Sequence, residues 1–468
     1  MQQLLLFLIE LGVPLLCFGL KKPQWAAAWV GFTLCVNIFD TRLLTNLPAG
    51  RLVGLVYLPW AMQDAVNWVR YKAVAAFAAN VGLMLISAVF FGFIVPWQVV
   101  EAHPIFSLTP HGRVLVFLVR TAADFSLTIF LARQLVKPGA LLLLGRAVVA
   151  GATVSVLAGL PNLVFRGFDP FYLITGLHSL GGIQLIRSRG LSYEPRSLGM
   201  ACAYAIAVLL VYPAIPLTRR VTLLFLNVMG VIITFSSSGF GLVILAVLVL
   251  WLRMKKRMRA VLIMAVACIP FLLILLGAVM PDRLRLAELI VAEHFNGKEL
   301  QGAQPQNLGE AIGWHLDAFD AAAFVFLYSN PLYILTGTGP GMVLIPAAGY
   351  ITPGIFTEMY GGKGLNGLPT LGPLLEVSNT GLIGLLLWAA QIWLLLNALK
   401  KMLCRTAGTQ RHTEWRFGYD MFLAATAFYL IQVSNFSPYW AVFLAIGWAA
   451  TREVCSLPPS PALTTDQE

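Results

Sequence analysis

Charged residues are scarce in this chain of 468 residues, at 11%, whereas hydrophobic residues make up 59% of it. A water-soluble protein of this length would need far more polar surface, so that class is excluded. Apolar runs close to the length of a bilayer crossing recur along the sequence, and they are continuous rather than alternating, which argues against a transmembrane β-barrel. We therefore expect an all-α polytopic membrane protein with about 12–14 transmembrane helices.

Cysteine is sparse as well, and its positions exclude further classes of site. The six cysteines fall in predicted spans or in predicted cytoplasmic segments, so no disulfide framework is expected on the outer side. No residues show metal-ligand spacing, and no phosphate-loop pattern follows a strand, so we expect neither a metal nor a cofactor. The sequence shows neither internal repeats nor helices broken at the midplane, both of which are common in transporters.

The net charge of +11 reflects membrane orientation rather than nucleic-acid binding, because most basic residues lie in short connectors. Alternate connectors are basic, and the positive-inside rule places them in the cytoplasm. The N-terminus is then periplasmic and the C-terminus cytoplasmic. The basic connectors carry Lys21/Lys22, Arg70/Lys72, Arg133/Lys137, Arg219/Arg220, the group from Arg253 to Arg259, and Lys400/Lys401/Arg405/Arg411.

The predicted organisation is one membrane domain with two outer segments. Transmembrane helices occupy 1–279 and 371–452, with a re-entrant or interfacial helix in the periplasmic segment 159–195. A large periplasmic loop follows at 280–370, and a disordered cytoplasmic tail at 453–468. Predicted spans lie at 3–20, 24–44, 51–68, 73–95, 112–133, 139–158, 196–216, 221–235, 239–252, 260–279, 371–398, 417–434 and 437–450.

A polar segment between two apolar runs is the strongest functional signal. This arginine segment, residues 187–196, reads Arg-Ser-Arg-Gly-Leu-Ser-Tyr-Glu-Pro-Arg. Arg187, Arg189 and Arg196 lie on the predicted outer side, where basic residues are normally sparse. Guanidinium groups bind phosphate bidentately, so the pattern favours capture of a diphosphate, with lipid headgroups as the alternative. Glu194 is either their structural ion-pair partner or a catalytic carboxylate.

Three further motifs follow in order. They are the serine turn (residues 236–239, Ser-Ser-Ser-Gly), the glycine loop (residues 337–341, Gly-Thr-Gly-Pro-Gly) after Asn330-Pro331, and the helix-opening motif (residues 376–384, Glu-Val-Ser-Asn-Thr-Gly-Leu-Ile-Gly). With the arginine segment, over roughly residues 150–400, this order resembles the superfamily of O-antigen ligases and polymerases. Those are C-type glycosyltransferases of the bacterial inner membrane that act on undecaprenyl-linked glycans. The resemblance implies the same fold, with one large periplasmic loop.

Two departures from that family pattern matter. The family often has Ser-Arg where this chain has Ser237-Ser238. Ligases of the family carry a histidine shortly before the span that follows the outer loop, and residues 366–370 contain none. The second departure favours a polymerase over a ligase and leaves the catalytic base unassigned.

The outer loop contains a predicted amphipathic helix at residues 308–328. Its apolar stripe must be buried against the membrane domain or the bilayer surface. Trp314, His315 and Asp317 lie elsewhere around this helix, and aromatic and hydrogen-bonding groups together suit a sugar. We expect the loop to be an ordered lid, with His315 as general base or phosphate contact. The alternative is a helix on the headgroups with an exposed histidine. The stripe consists of Ile312, Leu316, Phe319, Ala323 and Phe326.

Charges inside a predicted span are the remaining signal. Arg120 and Asp124 are four residues apart and can pair on one helix face. Such charges are as compatible with structural pairing as with function.

The resemblance implies polymerisation of undecaprenyl-diphosphate-linked oligosaccharide units into a surface polysaccharide at the outer face of the inner membrane. The expected partners are that lipid-linked glycan, the bilayer, and flippase and chain-length regulator proteins, with no nucleic acid. The alternatives are a ligase that transfers glycan to lipid A-core, a transporter or flippase of lipid-linked sugars, and an assembly protein without a reaction.

Overall fold

The chain folds mainly into helices, several of which suit a membrane. The computed structural model describes residues 2–36, 49–92, 101–102, 107–108, 110–160, 174–180, 183–192, 195–234, 236–267, 316, 318–347, 369–431 and 438–456. Within these residues, five helices are long and apolar enough to cross a bilayer: Lys72–Gly92, Val114–Leu135, Ala140–Gly159, Leu217–Thr234 and Gly372–Arg405. The protein is therefore a helical, membrane-embedded chain, as predicted. A total of about 12–14 crossings stays a prediction.

Helices alternate with short connectors through the first part of the chain. Two two-stranded hairpins interrupt them. The elements are α1 (Gln2–Gly19), α2 (Pro23–Cys35), α3 (Ala49–Val69), α4 (Lys72–Gly92), β1 (Glu101–Ala102), β2 (Ser107–Leu108), α5 (Pro110–Leu135), α6 (Ala140–Gly159), β3 (Ile174–Leu180) and β4 (Ile183–Ser188).

The second part of the chain holds the outer loop and the last helices. The final helix continues past residue 452, so residues 453–456 of the predicted tail are helical, and 457–468 lie outside the described residues. The elements are α7 (Pro195–Val211), α8 (Leu217–Thr234), α9 (Ser237–Leu250), α10 (Lys256–Ala267), α11 (Ala318–Ser329), α12 (Leu332–Thr336), α13 (Leu344–Ala347), α14 (Gly372–Arg405), α15 (Arg411–Ile431) and α16 (Pro438–Ser456).

Small residues allow the helix backbones to approach closely. A Cβ added to Gly54 on α3 would lie 2.1 Å from the carbonyl oxygen of Ala123 on α5. One added to Gly151 on α6 would lie 2.4 Å from the carbonyl oxygen of Phe32 on α2. Bilayer-embedded helices gain little from apolar burial against each other, so such close contacts supply much of their packing energy.

The basic connectors meet at one end of the bundle, which we call the basic end. Arg411, at the start of α15, donates to the carbonyl of Val136, 2.5 Å away, after α5. Its guanidinium also lies 3.4 Å from Glu453 near the end of α16. Arg405, at the end of α14, donates to the carbonyl of Val454. These contacts agree with the predicted alternation of connectors. Which side of the membrane the basic end faces stays a prediction.

The opposite end carries the β3–β4 hairpin, and here the sequence prediction was wrong. Residues 171–186 were expected to form a helix, but the described residues pair as antiparallel strands, with Arg187 opposite Thr175. The strands are joined by Gly181 and Gly182. A Gly-Gly pair between two short apolar runs is a hairpin signal, and glycine disfavours a helix. The all-α prediction therefore holds for the bundle but not for this segment. We call this the hairpin end.

A buried ion pair links α3 and α5 inside the bundle. Arg51 Nε and Nη2 donate to the two carboxylate oxygens of Asp124 at 2.8 and 2.9 Å, and their side chains are 8% and 4% exposed. The sequence allowed a pair between Asp124 and Arg120 on one helix face. The bidentate partner of Asp124 is instead Arg51. Gly54 lets α3 approach α5 closely, and this brings the Arg51 guanidinium within reach of the Asp124 carboxylate.

We expect Asp124→Asn to lower the free energy of unfolding by about 3–5 kcal/mol, because it leaves the Arg51 cation buried without its counter-charge. Asp64→Asn is the matched control. Asp64 pairs with Arg133 where the two side chains are 25% and 32% exposed, so its loss should cost only about 0–1 kcal/mol. Denaturant titration in detergent micelles measures both. Equal losses for the two variants would contradict a desolvated pair between α3 and α5.

Candidate functional site

Of the residues predicted to form the site, the structure describes three. Arg187 lies on β4, and only its backbone is described. Arg189 follows the hairpin and Arg196 lies in the first turn of α7, and both are half-buried and have interaction partners. Glu194, Trp314, His315 and Asp317 lie outside the described residues, so their predicted roles stay predictions.

The arginine segment is fixed on the hairpin ends of α6 and α2. Ser188 Oγ donates to the carbonyl of Gly159, and the amide of Leu191 donates to Ser155 Oγ at 3.0 Å. Ser192 Oγ donates to the carbonyl of Cys35. These bonds fix the backbone that carries Arg189.

Only glycine fits at the centre of this turn. Gly190 has φ +55°, and a Cβ there would lie 2.1 Å from the carbonyl oxygen of Ser155. The Arg-x-Arg-Gly spacing of the sequence therefore has a steric reason, because the glycine lets the chain approach α6.

The serine turn lies against the first turns of α7. Ser236 caps α9 by accepting from the amide of Gly239 at 3.3 Å. A Cβ added to Gly239 would lie 3.1 Å from the Cα of Gly199, so α7 and α9 are in backbone contact at their starts. Arg196 precedes Gly199 by three residues and so lies on nearly the same face of α7.

This arrangement concentrates positive potential at the hairpin end. The N-termini of α7 and α9 lie side by side, and each presents the positive end of a helix dipole. Arg196 lies in the first turn of α7, and Arg189 lies in the turn just before that helix. Together these are the ingredients of an anion site, and the chemistry suits phosphate.

A second cluster forms where the glycine loop packs on α14. The amide of Thr338 donates to the carbonyl of Ser378 at 2.7 Å, and that of Gly339 to the carbonyl of Asn379 at 3.1 Å. The amide of Gly341 donates to the side-chain oxygen of Asn379 at 3.3 Å. Two of the motifs singled out in the sequence are thus in direct contact.

The loop packs where α14 is broken. Gly381 has φ +68° and ψ −170°, which is not helical, and a Cβ there would lie 2.0 Å from the carbonyl oxygen of Leu335. On the other side, Ser87 of α4 donates to the carbonyl of Thr336 at 2.5 Å. The sequence predicted no broken helix, and that prediction was wrong. Gly381 is the residue that could have indicated the break, but the residues around it have the pattern of a continuous helix.

Glu376 is a residue whose importance sequence reasoning missed. It lies one turn before the break, is fully buried, and accepts from the hydroxyl of Tyr429 on α15. Its other oxygen lies 3.3 Å from Asn80 Nδ2 on α4. In the sequence Glu376 stands out only as the first residue of the helix-opening motif, although an acidic residue inside a membrane span is itself a signal.

The described part of the outer loop is attached to the start of α14. Asp320 on α11 accepts from the amides of Thr370 at 2.7 Å and Leu371 at 3.1 Å, and from the Thr370 hydroxyl. Its carboxylate therefore supplies the N-terminal cap of α14 from 50 residues away. Thr370 is the last residue of the stretch in which the resemblance leads one to expect a histidine.

The predicted apolar stripe is confirmed at Phe319, Ala323 and Phe326, whereas Leu316 lies in a bend before α11 and Ile312 lies outside the described residues. Ala323 and Phe326 are buried in a small core with Val343 and Leu344, and Phe319 packs against that core. Leu374 and Val377 of α14 also pack on it. The helix thus packs on α13 of the same loop and on the start of α14. Whether the loop covers a substrate stays a prediction.

We expect Gly381→Ala to destabilise the protein by roughly 2 kcal/mol or more, because alanine meets both a positive φ and the carbonyl of Leu335. Gly82→Ala on α4 is the matched control. A Cβ at Gly82 has nothing within 4 Å, so helix propensity should make it neutral or stabilising. Thermal unfolding in one detergent compares the two. A Gly381→Ala protein as stable as the Gly82→Ala control would contradict the packed break.

Comparison with known proteins gives no independent identification. No family model, no curated protein and no solved structure matches the chain. The family resemblance therefore rests on the four motifs and their order. Functional inference rests on the geometry of the arginine segment with the serine turn, and of the glycine loop with the helix-opening motif.

Proposed function

We propose that the chain is an integral membrane glycosyltransferase that polymerises undecaprenyl-diphosphate-linked oligosaccharide units into a surface polysaccharide. The observation that supports it best is the convergence of the arginine segment and the serine turn at the hairpin end. An anion site at the end of a membrane bundle suits a diphosphate carried on a lipid, because the lipid stays in the bilayer while the headgroup reaches the surface.

In this proposal the arginines hold the donor diphosphate. Arg189 and Arg196, together with the N-termini of α7 and α9, stabilise the charge that develops on the diphosphate as the glycosidic bond breaks. Such stabilisation comes from fixed dipoles and guanidinium groups of the chain itself. Arg187, on the strand before this turn, is the third proposed ligand of the donor.

The acceptor hydroxyl needs a base, and we keep the two predicted candidates for it. Glu194 belongs to the arginine segment, and His315 belongs to the outer loop just before α11. Trp314 and Asp317 are the proposed sugar contacts beside it. The Thr370 hydroxyl donates a hydrogen bond to Asp320. At the position where ligases carry a histidine, this chain thus has a residue that helps to fix the start of α14. This detail favours the polymerase over the ligase.

One observation favours a second candidate, a transporter or flippase of lipid-linked sugars. Transporters use broken helices, and α14 is broken at Gly381. The carbonyls of Ser378 and Asn379 at the break are, however, already bonded to the glycine loop. A transport site would need such carbonyls to be open to the transported sugar. The break therefore supports a transporter less than the anion site supports a glycosyltransferase.

We expect Arg189→Lys and Arg196→Lys each to lower polymer formation by about 10–100-fold, since lysine keeps the charge but loses the bidentate hydrogen bonds. Arg219→Lys is the matched control, because Arg219 is exposed at the basic end. The measurement is the chain-length distribution of surface polysaccharide in a strain that lacks the native gene, with membrane protein levels checked for each variant.

The outcomes separate the candidates. A polymerase predicts that the deletion strain keeps single repeat units but loses long chains, and that the two arginine variants approach this pattern. Loss of single units as well would favour a flippase. Normal long chains in the Arg189→Ala and Arg196→Ala variants would reduce the arginines to headgroup contacts and refute the diphosphate site.

A further inference from the structure

Among the residues that the structure describes, Glu376 has no cationic partner, although it lies inside a membrane helix. The carboxyl is fully buried, and its partners are the hydroxyl of Tyr429 and the amide of Asn80. A buried carboxylate without a cation costs several kcal/mol, whereas a neutral acid can be held by the same two groups at much lower cost.

The elements packed against α14 supply no compensating charge near Glu376. Among their described residues, the titratable groups on this side are Tyr429, Tyr333 on α12, Tyr328 on α11, Tyr439 at the start of α16, and Asp320, whose carboxylate binds the amides at the start of α14. Asp320 is itself acidic and so disfavours a second negative charge. The other charged residues of α4, α14, α15 and α16 lie toward the basic end: Lys72, Lys400, Lys401, Arg405, Arg411, Glu414, Arg416, Asp420, Arg452 and Glu453.

The side chain of Asn80 is compatible with a hydrogen on Glu376. It is 3% exposed, and its oxygen has no hydrogen-bond partner among the described residues. That oxygen lies against Gly384, next to the Thr380 hydroxyl. An amide turned by half a rotation presents oxygen to Glu376 and NH₂ toward Thr380. This orientation is satisfied only if the Glu376 oxygen that faces Asn80 carries a hydrogen.

The position of Glu376 connects this hydrogen to the glycine loop. Through Asn80 and Tyr429 the carboxyl joins α4 and α15 to α14, one turn before the break. The glycine loop lies between the same two helices on which Asn80 and Glu376 lie. On α4, Gly339 packs against Ala88 and Ser87 bonds to Thr336 just before the loop, and on α14 the loop bonds to Ser378. Separation of α4 from α14 would therefore free the side of the loop that faces α4.

We propose that Glu376 is a proton-binding site whose proton latches the glycine loop onto the bundle. When the proton leaves for water, a carboxylate remains, and water can solvate it only if α4 and α14 move apart. This proposal concerns the latch and does not rest on glycosyl transfer.

The test uses a cysteine beneath the loop in the full-length protein in lipid nanodiscs. Met342 is fully buried there against Phe91, so Met342→Cys reports on opening. It is introduced into a background whose native cysteines are replaced by serine, with and without Glu376→Gln. The measured quantity is the maleimide labelling rate of the protein with native Glu376 divided by that of the Glu376→Gln protein. This ratio cancels the pH dependence of the thiol.

Glutamine mimics the protonated acid, so we expect the ratio to be near one at acidic pH. As the pH rises above the titration midpoint of Glu376, the ratio should increase by about tenfold per pH unit, since opening releases one proton. A ratio that stays flat with pH, or faster labelling of the Glu376→Gln protein at all pH values, overturns the proposal. Restoration of slow labelling by sodium but not by choline at alkaline pH also overturns it, in favour of a cation site.

Infrared spectroscopy gives a second measurement that does not depend on the cysteine variant. The protein with its native Met342 should show the carbonyl stretch of a buried, protonated carboxylic acid at neutral pH, and Glu376→Gln should remove it. If the two spectra agree in that region, Glu376 carries no proton.

Discussion

A backbone amide or carbonyl that lies away from water must find its partner within the protein, and this requirement decides where the chain can leave a helix. The break at Gly381 is possible because the glycine loop supplies the missing partners, with amides of Thr338 and Gly339 bonded to carbonyls of α14. The turn at Gly190 is possible because Ser155 and Gly159 at the end of α6 satisfy it. The positions of both irregular segments are therefore determined by the hydrogen bonds available to their backbones rather than by the conformational preference of the local sequence.

Buried charged side chains must also find partners within the protein, and leaving one without a partner costs more free energy than leaving a backbone group unpaired. Arg51 and Asp124 satisfy each other bidentately, and Arg220 donates to the carbonyls of Tyr212 and Ile215 at the end of α7. Asp320 satisfies amides at the start of α14. Each of these charges closes a helix end or a helix pair. Glu376 lies within α14 rather than at its end, and its partners are the neutral side chains of Tyr429 and Asn80.

The sequence predicted what depends on composition and on local pattern. Continuous apolar runs predicted the helical membrane class, and alternate basic connectors predicted that these segments share one end, where Arg405 and Arg411 make their contacts. The pattern around Phe326 also predicted an apolar stripe that must be buried, against the membrane domain or the bilayer surface. These features follow from where apolar and charged residues lie along the chain, which needs no knowledge of distant contacts.

What the sequence could not predict depends on residues far apart. The partner of Asp124 is 73 residues away, and that of Glu376 on α4 is 296 residues away. The break in α14 requires a loop that begins some 40 residues earlier along the chain. The hairpin at 174–188 is a different case, because its Gly-Gly turn was visible locally, but the apolar run around it was interpreted with a helical period.

The cap that Asp320 provides has a consequence for how deeply α14 sits in the membrane. At 34 residues, α14 is much longer than the roughly 20 residues that span a bilayer, so hydrophobic length alone would let it slide or tilt. Bonds from Thr370 and Leu371 to an acid on the outer loop fix its starting point by protein contact. Glu376 and Gly381 thus keep their height relative to the hairpin end when the thickness of the bilayer changes. Bilayer thickness should act instead on the other half of α14, toward Lys400 and Lys401.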